Sequence, residues 1–304
     1  MRKLTFALAF LFAVSCAHTT MPTADANDVP MAAVTTASSS STSTASTATV
    51  PCNTVNAILS STLWVQQSAE YRASALQAYA AARRALDAAL ADKSWTGADE
   101  EKNDDPSQPP VIVLDLDETA IDNTAFEARL IEQGADYDPK TFDATWATWS
   151  GESAARAIPG AAEFLNYAKS RGVTPYYVTN RLEKEEANVR RNLETLGFPL
   201  SDTEDTLLMR EERKEWTSDK TSRRAFVAST HRVLLLLGDD LNDFTNAREK
   251  SAAERDAIIQ NTRDRWGTRW IIIPNPIYGS WERAFQGGDN PCAQLQTKVN
   301  ALRK

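Results

Sequence analysis

Asp115 and Asp117 stand one residue apart at the end of an apolar run, Val111-Ile112-Val113-Leu114, and Thr119 follows them. Such a run suits a strand buried on both faces, and acidic residues at its end are costly unless those charges have work to do. Two carboxylates so close repel each other and need a cation between or beside them. The chemistry this spacing offers is Mg²⁺-assisted attack of an aspartate on phosphorus. On its own the segment has a second reading, since Asp117 or Thr119 could simply cap a helix. The rest of the chain must decide.

The elements that would position these residues alternate. The apolar pattern predicts strands over about 111–115, 173–178, 206–209, 232–237 and 270–273, with helices over about 160–171, 183–196, 218–229 and 243–265. The runs Leu234–Leu237 and Ile271–Ile273 are apolar on both faces, as in central parallel strands covered by helices. The fold class is therefore α/β, a doubly wound parallel sheet. Such sheets bind ligands at the carboxyl ends of their strands. The second strand delivers Thr179, Asn180 and Arg181 there, and the fourth delivers Gly238-Asp239-Asp240-Leu241-Asn242-Asp243. The helix before the fourth strand offers Lys220, with Lys214 as the runner-up. Taken singly, Thr179 reads equally as a cap and Lys220 as a solvated charge; the ordered set is what carries weight.

Residues 53–93 read as helix, with Leu59, Leu63, Val65, Tyr71, Leu76, Tyr79, Leu86 and Leu90 at spacings of three to five and no Gly or Pro. Residues 97–110 read as a polar loop, and 123–158 as a small helical insert carrying Trp146 and Trp149. The domain reading is one catalytic domain over 53–304. Its core spans about 106–122 and 159–290, and its helical cap is built from 53–95 and 123–158, placed as a lid over the strand ends.

The 33 basic and 41 acidic residues give a net charge of −8, which argues against polynucleotide binding. The only histidines are His18 and His231, and His18 falls in a low-complexity stretch, so a histidine-pair mechanism or a multi-histidine zinc site is excluded. Arg2-Lys3 followed by the apolar stretch Leu4–Val14 reads as an export signal, and Ala13-Val14-Ser15-Cys16 as a lipobox with Cys16 lipidated. Ala13 stands where Leu is usual, and an ordinary cleavage site is the other reading of these residues. Residues 17–52, rich in Ser, Thr and Ala, read as a disordered tether. With Cys16 carrying lipid, Cys52 and Cys292 are left as an even pair and are expected to form a disulfide.

Taken in order, D-x-D-x-T, a strand-terminal Thr, a Lys and G-D-x-x-x-D resemble the haloacid dehalogenase superfamily of aspartate-nucleophile phosphohydrolases. More narrowly, the chain resembles the class C bacterial acid phosphatases, the four-aspartate lipoprotein 5′-nucleotidases. The segments that carry this likeness are Leu63–Tyr71, Leu114–Thr119 with Asp122-Asn123, Tyr177–Arg181, Gly238–Phe244 and Pro274–Glu282.

The resemblance implies a catalytic set of Asp115, Asp117, Thr119, Thr179, Asn180 and Lys220. Asp115 would be the nucleophile and Asp117 the general acid and base. Thr179, assisted by Asn180, would hold the phosphoryl oxygens, with Lys220 neutralising charge. Mg²⁺ would be held by Asp115, the Asp117 carbonyl, Asp239 and Asp243. Two departures stand out: Asp240 adds a carboxylate, expected beside the metal shell, and Asn242 stands where relatives often carry Asp. Tyr278, Trp281 and Trp149 are expected to contact substrate, a nucleoside 5′-monophosphate, although lid and core packing is an equal reading for the tryptophans.

The implied protein is an exported phosphomonoesterase acting on small phosphomonoesters and anchored by lipid in the bacterial cell envelope, at the outer membrane facing periplasm or surface. A homodimer is compatible with it. The alternatives are a non-catalytic surface lipoprotein, disfavoured because all four aspartates and the lysine are present, and a phosphotransferase.

Overall fold

The computed structural model describes residues 58–102, 105–134, 142–287 and 290–302. The expected signal, Cys16, the tether and Cys52 lie outside these. Five parallel strands form the sheet: β1 (Pro110–Leu114), β4 (Thr174–Leu182), β5 (Leu207–Arg210), β6 (Arg232–Gly238) and β7 (Trp270–Ile272), in the order β5-β4-β1-β6-β7. A separate two-stranded antiparallel ladder pairs β2 (Ile121–Asp122) with β3 (Arg156–Ala157). All five strands of the main sheet fall where the apolar runs put them. The short β2–β3 ladder offers too little alternation to be read from sequence.

The core has two sides because side chains alternate across a strand. Ile112 and Leu114 of β1 face one cluster, together with Tyr177, Leu207, Leu235 and Ile271. Val111 and Val113 face the other, with Tyr176, Val178, Leu236 and Trp270. The first side is covered by α2 (Ala69–Ala91), α5 (Ala161–Ser170) and α6 (Glu186–Thr195), and the second by α7 (Thr221–Ala228) with Trp216, Phe244 and Trp266.

The amino-terminal helix differs from expectation in two respects. It breaks at Ser68, whose backbone is extended at φ −78 and ψ 142, dividing it into α1 (Leu59–Gln67) and α2. The Ser68 hydroxyl accepts from the Tyr71 amide, an N-cap that makes the break favourable. The buried face of α2 is then Tyr71, Ala75, Tyr79, Ala82, Ala85, Leu86 and Ala89, while Leu63 and Leu76 are about half exposed. Alanine lets α2 lie close against its neighbours, so it belongs to the core. Burying a side chain like Leu86 completely contributes about 1.5–3 kcal/mol.

Of the insert, α3 (Thr124–Glu132) packs on α1, and α4 (Phe142–Glu152) packs on α6. The expected helix over 243–265 is shorter, α8 (Ala252–Asn261), because Ser251 and Glu254 form a capping box that starts it late. The chain closes with α9 (Pro291–Asn300). Cys292, at its start, is disulfide-bonded.

Candidate active site

Register brings the site together. Leu114 lies opposite Tyr177 on one side and Leu237 on the other, so β1 and β6 end level while β4 runs on to Leu182. Asp115 and Asp239, directly after β1 and β6, and Thr179, two residues past Tyr177 in the longer β4, are therefore brought to the same edge of three adjacent strands. Asp243 is returned to them by a 3-10 turn, Leu241–Asp243. Gly238 makes this return feasible, since a Cβ there would collide with the Asp243 carboxyl.

Asp115, Asp239 and Asp243 each present a carboxylate oxygen, and these oxygens all lie within 4.8 Å of one another. Lys220, 3% exposed, donates to Asp115 and, at 2.6 Å, to Asp243. Lys220 stands at the N-cap of α7, where the helix dipole disfavours a cation, so the two aspartates must hold it there. Burial alone would push its ammonium down, but Asp115 and Asp243 outweigh that and hold it above its ordinary value. Lys214 is exposed and drops out as an alternative.

Asp239 is held by uncharged donors, the Thr119 hydroxyl at 3.0 Å and the Asn275 amide at 2.9 Å. Thr119 is fully buried and donates its hydroxyl to Asp239, with its carbonyl accepting from Tyr79 at 2.6 Å. It therefore positions a carboxylate; the expectation that it acts in catalysis is corrected.

Three carboxylates against one ammonium leave an excess of negative charge in a buried space. Burial, then repulsion from Asp243 and Asp117, pushes Asp115 up to about 7 against the pull of Lys220. Asp239 is pushed well above the carboxylate range by burial and by Asp243 and Asp115, and Asp243 is also raised. All three carboxyls are thus shifted toward holding protons. A hard, oxygen-preferring divalent cation fits this donor set and would release them.

Asp117 faces elsewhere. Its Oδ1 accepts from Arg181 Nη2 at 2.8 Å, Arg181 Nε at 3.0 Å and the Asn123 amide at 2.8 Å. Its Oδ2 has only long contacts, 3.3 Å from Arg181 Nε and 3.4 Å from the Thr179 hydroxyl. Oδ1 is saturated with donors, so Oδ2 is the oxygen able to carry and deliver a proton. The side chain is thus separate from the metal-type cluster.

Arg181 itself is 4% exposed, also donates to Asn123 at 3.0 Å, and lies 5.0 Å over the Trp146 ring. No role was read for Arg181 from sequence, although it sits directly after Asn180 at the strand end. Asn123 ends the motif quoted above and likewise had no role.

Two further expectations change. Trp149 is 4% exposed and donates its indole N–H to Asn123 at 2.9 Å, so it supports Asn123 from behind and presents no face to a substrate. The Asn180 side chain is spent on the protein, donating to the Ser218 carbonyl at 3.2 Å and accepting from Arg223 at 2.8 Å. Arg223, fully buried, also donates to the Thr179 carbonyl. Its neighbour Arg224 donates to the carbonyls of Asn242 and Asp243. Lys220, Arg223 and Arg224 of α7 and its cap therefore tie together the residues after β1, the end of β4 and the turn after β6. Tyr278 is partly buried against the core, and Trp281 is 38% exposed with its ring edge on Phe285.

Chemically, the arrangement offers a buried carboxylate beside an ammonium, a cation-binding trio, and a second carboxyl with one oxygen free to exchange a proton. Residues 17–281 match the model of the haloacid dehalogenase (HAD) superfamily, subfamily IIIB (acid phosphatase). The chain is similar to the class C acid phosphatase from Bacillus anthracis, with 32% identity, a TM-score of 0.71, and coverage of 83% of this chain and 99% of that one. The same values of identity and TM-score hold for the Bacillus anthracis enzyme with tungstate bound, with coverage of 82% and 98%. The chain belongs to the HAD subfamily IIIB acid phosphatases, and it is a phosphomonoester hydrolase with the α/β fold of that family.

Proposed function

We propose that this acid phosphatase is Mg²⁺-dependent, acts on nucleoside 5′-monophosphates, and works through an aspartyl-phosphate on Asp115. The observation that carries the reading is the trio Asp115, Asp239 and Asp243 with Lys220 seated between two of its members. Asp115, Asp239 and Asp243, with the Asp117 carbonyl, would hold the cation. When bound, the cation supplies positive charge that draws in the phosphoryl oxygens and keeps Asp115 ionised.

Asp115 attacks phosphorus while Asp117 passes a proton from Oδ2 to the departing alkoxide. The P–O bond to the leaving group breaks as the bond to Asp115 forms. Asp117 then takes a proton from water, whose oxygen attacks the same phosphorus and frees Asp115. Lys220 and the Thr179 hydroxyl, both fixed before substrate arrives, stabilise the charge on the transferring group. Binding of tungstate, a tetrahedral oxyanion, by the Bacillus anthracis relative favours an oxyanion site of this kind here. Tyr278 and Trp281 favour a substrate with a flat base.

The leader features, Arg2-Lys3, Leu4–Val14 and Cys16, support export and a lipid anchor in the cell envelope. Phosphate release from AMP, nicotinamide mononucleotide and p-nitrophenyl phosphate, with Mg²⁺ and with EDTA, tests the enzymatic reading. Mg²⁺-dependent release from the nucleotides upholds it. Release from the aryl phosphate alone removes the nucleotide class, and release undiminished by EDTA removes the metal.

A further inference from the structure

Asp240 directly follows Asp239, yet its carboxylate does not join the metal-type trio. Its Oδ1 accepts from the Ser280 hydroxyl at 2.5 Å and the Asn242 amide at 2.8 Å, and its Oδ2 accepts from the Ser280 amide at 2.5 Å. Arg255 Nη2 lies 4.0 Å from Oδ2, while Arg255 Nη1 donates to the Ser280 hydroxyl at 3.0 Å and the Ala247 carbonyl at 2.8 Å. Both oxygens are thereby committed, while the Asp240 N–H donates to Asp243 Oδ2 at 3.0 Å, so Asp240 stands beside the trio, as expected, with its carboxyl turned to Ser280.

Ser280 begins a 3-10 turn, Ser280–Phe285, that carries Trp281. The other end of this loop is fastened by Asn275, which donates to Asp239 at 2.9 Å, and Ile277 between them is 3% exposed. The loop bearing Tyr278 and Trp281 thus hangs from two consecutive residues, Asp239 and Asp240. The fit is close: a Cβ on Gly279 would come within 2.6 Å of the Trp281 ring and 3.0 Å of Asp240 Oδ2.

We infer that Asp240 is a positioning residue that holds the Tyr278–Trp281 loop in its binding conformation and so confers selectivity for phosphomonoesters carrying a flat base over those with a bare alkyl group. This rests on the nucleotide reading above. A loop ordered beforehand loses less freedom on binding, and the gain is confined to substrates that touch it. Uniform binding of this kind shows in KM with little change in kcat.

The test compares D240N and S280A with the unaltered chain. Asparagine keeps an acceptor for the Asn242 amide, but its NH₂ group cannot accept from the Ser280 N–H. D240N is expected to raise KM for AMP by about tenfold, as for loss of one charge-assisted hydrogen bond, with kcat within about twofold. The kcat/KM for glycerol 2-phosphate and the Mg²⁺ requirement stay within about twofold. S280A moves in the same direction by less. Hydrogen exchange in the peptide spanning 274–285 speeds up in D240N.

Equal losses on both substrates, or a raised Mg²⁺ requirement, overturn the inference and return Asp240 to the metal centre. Unchanged exchange overturns it as well. If the unaltered enzyme does not favour AMP over glycerol 2-phosphate, the nucleotide reading fails and the selectivity with it; faster exchange in D240N then still upholds the latch alone.

Discussion

Replacing Arg181 by methionine isolates what holds the proton donor. Arg181 supplies two of the three donors on Asp117 Oδ1, at 2.8 and 3.0 Å, and one on Asn123. Methionine fills part of the volume and leaves Asp117 with Asn123 and a long contact from Thr179. The Asp117 side chain is 19% exposed, so water relieves some of the loss, and the stability cost falls at the low end for breaking a buried pair, about 3 kcal/mol.

The kinetic consequence depends on the leaving group. A misaimed acid loses much of the 10²–10⁴-fold that proton transfer contributes, so kcat on an alkyl phosphate such as AMP should fall about 10²-fold. An aryl phosphate leaves as a weakly basic phenolate and needs little protonation, so its kcat should fall less than about tenfold. R181K, which keeps the charge but loses the fork, should lie between the two. Steady-state rates on both substrates, at a temperature where melting shows each variant folded, decide the matter. Equal losses on both would refute the orienting role and place Arg181 on the phosphoryl group or in the fold.

Three other outcomes are expected. K220M removes the ammonium between Asp115 and Asp243 and should lower kcat by about 10²–10³-fold with Mg²⁺ saturating; turnover within threefold of normal would remove Lys220 from the site. In EDTA, stability should fall as pH rises from about 4 to 7. Asp115, Asp239 and Asp243 titrate higher folded than unfolded, so the folded state binds more protons in that window, and it loses up to about 1.4 kcal/mol per pH unit for each retained proton. Melting with and without Mg²⁺ should therefore show a metal stabilisation that grows with pH, and a constant one would contradict the charge accounting. W149F should cost about 1 kcal/mol of stability through the lost bond to Asn123, with KM for AMP within about twofold; a tenfold rise would restore Trp149 as a substrate contact.

Strands and the acidic trio were legible because their signals are local. Leu234–Leu237 can only be a buried strand, and Gly238–Asp243 follows it directly. Lys220 was legible through order along the chain more than through its surroundings. Residues that act through others were not. Thr119 looks like a catalytic hydroxyl until Asp239, 120 positions away, is seen to accept from it. Trp149 and Trp281 are both aromatics near the motifs, and only burial tells them apart. Arg181 and Asn123 lie beside recognised residues, but their joint hold on Asp117 depends on β2 and β4 being brought together in space. Asp240 drew attention as an extra charge, and its actual partner, Ser280, lies 40 positions on.

The most direct test of the central claim, that Asp115 is the nucleophile, is chemical trapping. The enzyme is mixed with substrate and Mg²⁺, quenched in turnover and reduced with borohydride, which converts an acyl phosphate to an alcohol. Peptide mass spectrometry should then find homoserine at position 115, dependent on substrate and absent from D115N. Reduction at Asp117 or Asp239 in its place, or full turnover by D115N, would contradict the assignment.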